Sequence, residues 1–161
     1  MDREKCAQAS VIPLPALDRG LAAYVIFTNF EETRLSLSAA NRLAHDLSMR
    51  LVVMAAQVVP YPVPLDDPPV STEFTRELLM RLVRGVEAEI KLYLCRDRNE
   101  TIRHALPRGS VVVIGTRKHR WWDRDHVLAR QLRRDGHQLM LIDTGRVSLA
   151  EGVLEAAMPN H

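Results

Sequence analysis

The residues best equipped for chemistry lie together between Gly115 and His126, in the stretch GTRKHRWWDRDH. Gly115 leaves bare backbone for a ligand to approach, Thr116 offers a hydroxyl, Arg117, Lys118 and Arg120 are cations, and Trp122 presents a π face. Asp125 and His126 open a helical pattern whose free N–H groups point back at the loop. Guanidinium forks beside a helix N-terminus are suited to a phosphate-bearing or otherwise anionic small ligand. A second reading is purely structural: Arg117 to Arg124 pair with Asp123 and Asp125, one of these aspartates caps the helix, and tryptophan plugs the top of a sheet. Trp121 and Trp122 are adjacent, so on an extended loop one packs on the sheet and the other lies over the cleft. Metal binding through His119, His126 and the aspartates is opposed by the surrounding cations and matches no ligand spacing. One short loop is also a small footprint for nucleic acid.

The elements around this loop are legible from apolar patterning. Val111 to Ile114 is an unbroken apolar run, the mark of a strand covered on both faces, and Ala22–Phe27 and Leu51–Ala56 read the same way. Val86 to Cys95 alternates instead, which predicts a strand with one wet face at a sheet edge. His137–Asp143 is a fifth strand. Between them lie four helices. The first is capped by Asn29 with a stripe of Leu35, Ala39, Leu43 and Leu47; the second starts at Ser71 or Thr72, with Phe74, Leu78 and Leu82 on one face. The third is capped by Asp97 and turns Ile102, Ala105 and Leu106 inward; the fourth carries Val127, Leu128, Gln131 and Leu132 and stops at Gly136. The prolines between Pro60 and Pro69 predict a stiff extended connection on the surface.

Strands and helices alternate throughout, which is the pattern of an α/β domain with a five-stranded parallel doubly wound sheet. Its strand ends open onto the cationic loop, where ligands of open α/β sheets bind. With 161 residues, 47% hydrophobic and 26% charged, one domain is expected over 21–143, flanked by an arm (1–20) laid outside the sheet and a weakly helical tail (144–161). The tail carries Leu149, Val153, Leu154 and Met158.

The net charge of +2 is too small to indicate nucleic acid or membrane by itself. No window approaches the ~18 apolar residues of a membrane helix, and the charged, proline-broken N-terminus lacks a secretory h-region, so a cytoplasmic protein is expected. Cys6 and Cys95 lack CxxC spacing and read as thiols of a reducing compartment; Cys95 is a redox candidate only if exposed. His45, His104 and His137 read as surface residues. With no nucleophile elbow, HExxH or GxxxxGK[ST], a binding module is expected rather than an enzyme.

Two stretches, VIFTNFEETRLSL from Val25 and VVVIGT…VLARQL from Val111, resemble the universal stress protein family and the wider group of adenine-nucleotide-binding α/β domains. The resemblance covers Tyr24 to about Asp143. It implies strand order 3-2-1-4-5 and a homodimer formed through the fifth strand, here Leu139 to Ile142. ATP-binding members carry an acid after the first strand and a motif of GxxG, nine residues, then G with S or T. Here the acid seat falls on Thr28 or Asn29, the second glycine is Lys118, and the final pair aligns with Asp125-His126. At an effective dielectric of about 20, a carboxylate roughly 5 Å from a phosphate charge costs about 3 kcal/mol, around two decades in affinity. A degenerate nucleotide site with no cofactor is therefore expected, in a regulatory module that binds an anionic small ligand or a protein. The alternative is an ATP-binding stress protein with slow hydrolysis.

Overall fold

The computed structural model describes residues 6–12, 20–65, 72–117 and 124–145. Strands β1 (Cys6–Ile12), β2 (Ala22–Ile26), β3 (Arg50–Val58), β4 (Ala88–Cys95), β5 (Val111–Thr116) and β6 (Gln138–Asp143) form one six-stranded sheet in the order β1-β4-β3-β2-β5-β6. The helices are α1 (Phe30–Asp46), α2 (Thr72–Leu82), α3 (Arg98–Ala105) and α4 (Arg124–Arg134).

From β4 to β6 the pairings are all parallel, which is the expected 3-2-1-4-5 order of the five strands foreseen from sequence. Continuous apolar runs permit this because alternate residues serve opposite faces. Ala23 and Val25 of β2 face α1 and α2 with Leu37, Ala40, Leu79 and Leu82, whereas Tyr24 and Ile26 face α3 and α4 with Ile102, Leu128 and Leu132. Truncating a fully buried leucine such as Leu128 is worth about 2 to 5 kcal/mol, which is why a one-residue slip of register is not tolerated.

The arm is the main departure. Residues 1–20 were expected outside the sheet and β4 at its edge, yet β1 pairs antiparallel with β4 from Cys6↔Cys95 to Ile12↔Ile90. The physical reason is that β4's outer backbone groups need partners. The seven residues CAQASVI supply them, and small side chains such as Ala7, Ala9 and Ser10 give no apolar run for the sequence to mark. The alternation of β4 survives, with Ile90, Leu92 and Leu94 buried and Glu89, Lys91 and Tyr93 half-buried.

Three helical or loop details also shift. On α1 the buried line is Thr33, Ser36, Leu37, Ala40 and Ala44, with Leu35 beside it, while Leu47 is exposed. The smallest side chains face the sheet because β5 comes so close there. On α2 Leu79 and Leu82 are buried, and Phe74 is 70% exposed rather than part of the packed face. The start of the proline-rich connection is not merely extended. Arg96 donates to the carbonyls of Val59, Pro60 and Val63 at 2.8, 3.1 and 2.6 Å and lies 4.1 Å from the Tyr61 ring centroid, while Val59 and Leu65 are buried beside Leu94.

Asn29 and Asp97 cap α1 and α3 as their spacing predicts, accepting from the Glu32 and Glu100 N–H groups at 2.9 Å each. Gly136 ends α4 with φ of +87°. The turn it makes carries His137 inward. That histidine is buried and its Nδ1 accepts from the Ser110 N–H at 3.2 Å, so its reading as a surface residue is corrected. The expected tail helix and the loop residues Lys118 to Asp123 lie outside the described residues.

Candidate functional site

Parallel strands end together, so the carboxyl ends of β2 and β3 and the first turns of α1, α3 and α4 meet around one opening. It is a cleft of about 500 Å³. Phe27, Ala56 and Val58 supply its apolar wall, and Thr28, Asn29, Glu32, Arg98, Arg124 and Asp125 its polar rim.

The turn after β2 is tightly bonded. Asn29 is occupied as the cap of α1, the Thr28 N–H donates to Thr33 Oγ1 at 3.1 Å, and the Thr28 hydroxyl donates to Glu32 Oε2 at 3.3 Å. Glu32 is one of the residues that sequence reasoning missed. It sits at the third position of α1, one turn beyond the acid seat assigned to Thr28 or Asn29, and its carboxylate folds back to the end of β2. The signal was present in the capping spacing, since a Glu at that position points back toward the helix start. Arg117 closes over it with Nε 3.4 Å from Oε1. The helix start is therefore neutralised from above.

Across the cleft, Arg98 makes the central link. Its Nη2 lies 2.9 Å from Asp125 Oδ1 and donates to the Phe27 carbonyl at 3.1 Å, so one guanidinium ties the starts of α3 and α4 to the end of β2. Both partners of the ion pair have side chains only 14% exposed. Asp125, expected to face an incoming phosphate as a bare carboxylate, is instead matched by Arg98. Arg124 stands exposed at the rim, with no ion pair to another described residue. Among the described residues at the cleft, Arg98, Arg117 and Arg124 against Glu32 and Asp125 leave one positive charge in excess.

Gly115 has a packing role. A Cβ there would meet the Glu32 carbonyl oxygen at 2.5 Å and Ser36 Oγ at 3.2 Å, so only glycine lets α1 sit this close to β5. Thr116 is buried and its carbonyl accepts from the Thr144 hydroxyl at 3.2 Å. Neither lines the cleft. His126 is half-buried in the first turn of α4, its Nε2 shielded from solvent. Lys118, Arg120 and Trp122 lie outside the described residues, so the structure brings together Thr28, Asn29, Arg117 and Asp125 of the expected set and adds Glu32, Arg98 and Arg124. Among the described residues no group of three or more His, Cys, Asp or Glu side chains is placed to hold a metal ion, and no helix is long and apolar enough to cross a membrane. Cys95 is buried, with Sγ 3.5 Å from the Gln57 carbonyl, and fails the exposure that a solvent-reactive thiol needs.

No protein-family model matches the sequence, and no curated protein matches it. Among solved structures, the chain is similar to a protein from the universal stress protein family from Burkholderia pseudomallei, with a TM-score of 0.52 and 23% identity over 75% of this chain and 94% of that one. It is also similar to a universal stress protein in complex with cAMP, with a TM-score of 0.50 and 12% identity over 79% and 99% of the two chains. The fold that the sequence resemblance implied is therefore the fold observed.

Proposed function

With a fold shared with universal stress proteins as the premise, we propose that this chain is a cytoplasmic, non-enzymatic regulatory module whose nucleotide cleft is degenerate. The observation that carries this reading is the Arg98–Asp125 pair spanning the cleft. A polyphosphate entering there must displace Arg98 from a carboxylate and then share the space with that carboxylate and with Glu32. Both charges are desolvated enough for the exchange to be costly. Gly115 supports the same reading, because its lack of a side chain is already used by α1.

Calorimetric titration of the full chain with ATP is expected to give binding no tighter than high micromolar, and Asp125→Asn is expected to tighten it about tenfold by removing the opposing charge. Low-micromolar binding by the unmodified protein, weakened by Asp125→Asn, would overturn the degenerate-site reading. It would favour the second one, a working ATP-binding stress protein with slow hydrolysis, which the excess positive charge and the cAMP bound by one structural neighbour support. The ligand class in either case is a small anion, with a protein partner as the other route of regulation. A homodimer through Leu139 to Ile142 belongs to the same proposal: β6 pairs with β5 alone among the described strands, and Leu141 is exposed on it. A monomer by light scattering at tens of micromolar would remove it.

A further inference from the structure

The two cysteines of the chain, far apart in sequence, are register partners: Cys6 opens β1 directly opposite Cys95 at the end of β4. Opposed residues of an antiparallel pair have Cα atoms about 4.5 to 5.5 Å apart, inside the roughly 4.4 to 6.8 Å range that a disulfide spans. We propose that Cys6 and Cys95 form a reversible redox latch, in which oxidation by a hydroperoxide covalently closes the β1–β4 ladder at its first rung.

Position divides the roles. Cys95 is fully buried with its Sγ against the Gln57 carbonyl, which suits the thiol that resolves rather than the one that first meets oxidant. Cys6 lies at the start of the outermost strand. Its thiolate attacks one peroxide oxygen; the O–O bond breaks, a sulfenic acid forms and one water leaves after protonation. The Cys95 thiol then gives up its proton and attacks that sulfur, forming the S–S bond and releasing a second water. Two thiols thus lose two electrons and two protons in all, and one hydrogen peroxide becomes two waters. Thiol exchange with a small dithiol reverses the latch.

The consequence is mechanical. Among the described strands β1 joins the sheet through β4 alone, and with the thiols reduced it can fray from its end, uncovering β4's backbone groups as an edge. A cross-link at the terminal rung prevents that opening. An intracellular disulfide of this kind is transient and redox-sensing rather than structural.

The full-length protein is treated with hydrogen peroxide, then denatured and assayed for thiols, mapped by non-reducing peptide mass spectrometry, and followed by amide hydrogen exchange. The expected result is loss of both thiols, a mass lower by two hydrogens, an intrachain Cys6–Cys95 peptide, and slowing of exchange over 6–12 by about tenfold or more. Cys6→Ser must abolish both the cross-link and the slowing, and dithiothreitol must restore the reduced pattern. Cys6 is the residue substituted because Cys95 is core and its replacement can disturb folding. Separate sulfinic acids, cross-links only between two chains, unchanged thiols, or slowed exchange in Cys6→Ser would each overturn the latch.

Discussion

Helices α3 and α4 run side by side and are tied to each other twice, once at each end. At their starts Arg98 meets Asp125 in the cleft; at their ends Arg103 meets Asp135, with Nε–Oδ2 at 2.7 Å and Nη2–Oδ1 at 3.0 Å. By geometry alone the second pair is the better one, since it is bidentate. By environment it is the weaker. Its side chains are 36% and 30% exposed, so water and salt screen it, whereas the cleft pair is enclosed and also holds a main-chain carbonyl. A second hollow, of about 560 Å³, lies beside the exposed pair and is lined by Glu100, Arg103, His104, Arg108, Asp135 and His137 among others. The same two residue types thus do different work at the two ends. Where the pair is enclosed it decides what the cleft can admit; where it is open it serves as a clasp.

The sharpest way to break this contrast is to unseat the element that encloses the cleft. Gly115→Ala drives a methyl group into the Glu32 carbonyl, and because the obstacle is backbone, a loss of about 3 kcal/mol in denaturant melts is expected without any nucleotide present. A neutral outcome would return Gly115 to a ligand role. Next in size, Arg98→Ala leaves Asp125 enclosed without its guanidinium and Phe27 without its donor; a loss of about 2 to 3 kcal/mol is expected, discounted for partial exposure. Replacing both members, Arg98→Leu with Asp125→Leu, removes the charges together and is expected to cost only about 1 kcal/mol. If the double variant is as unstable as the single one, the pair is structural in a way that electrostatics does not explain.

The smallest effect lies at the other end. Hydrogen bonds from Arg103 hold the Asp135 carboxyl below the usual aspartate range, so this pair adds stability above the ordinary carboxylate pKa near about 4, and that stability fades as pH falls through the lowered folded-state pKa. Asp135→Asn is expected to flatten the acid side of the stability profile slightly and to leave melts at pH 7 nearly unchanged. A large loss at pH 7 would show that exposure is not what separates the two pairs.

Much of this architecture was legible in advance for a definite reason. A continuous apolar run such as Val111 to Ile114 has few ways to be covered on both faces, and an Asn or Asp three residues before a Glu carries its own local hydrogen bond, so strands and caps are short-range facts. The cleft's chemistry was half legible. Asp125 and Arg117 were found by type, but Arg98 is 27 positions from Asp125 and nothing local announces that pairing.

The sequence by itself determined the alternation of strands and helices, the capped starts of α1 and α3 and the glycine end of α4, because each depends on residues within a turn or a strand of one another; the order of the five strands came from the family resemblance. Only the tertiary structure decided that the arm joins the sheet opposite β4, that Cys6 stands across from Cys95, that Gly115 admits α1, and that Arg98 closes the cleft over Asp125. These depend on which distant segments come into contact, and contact between distant segments is set by the packing of the whole sheet, which no local pattern contains.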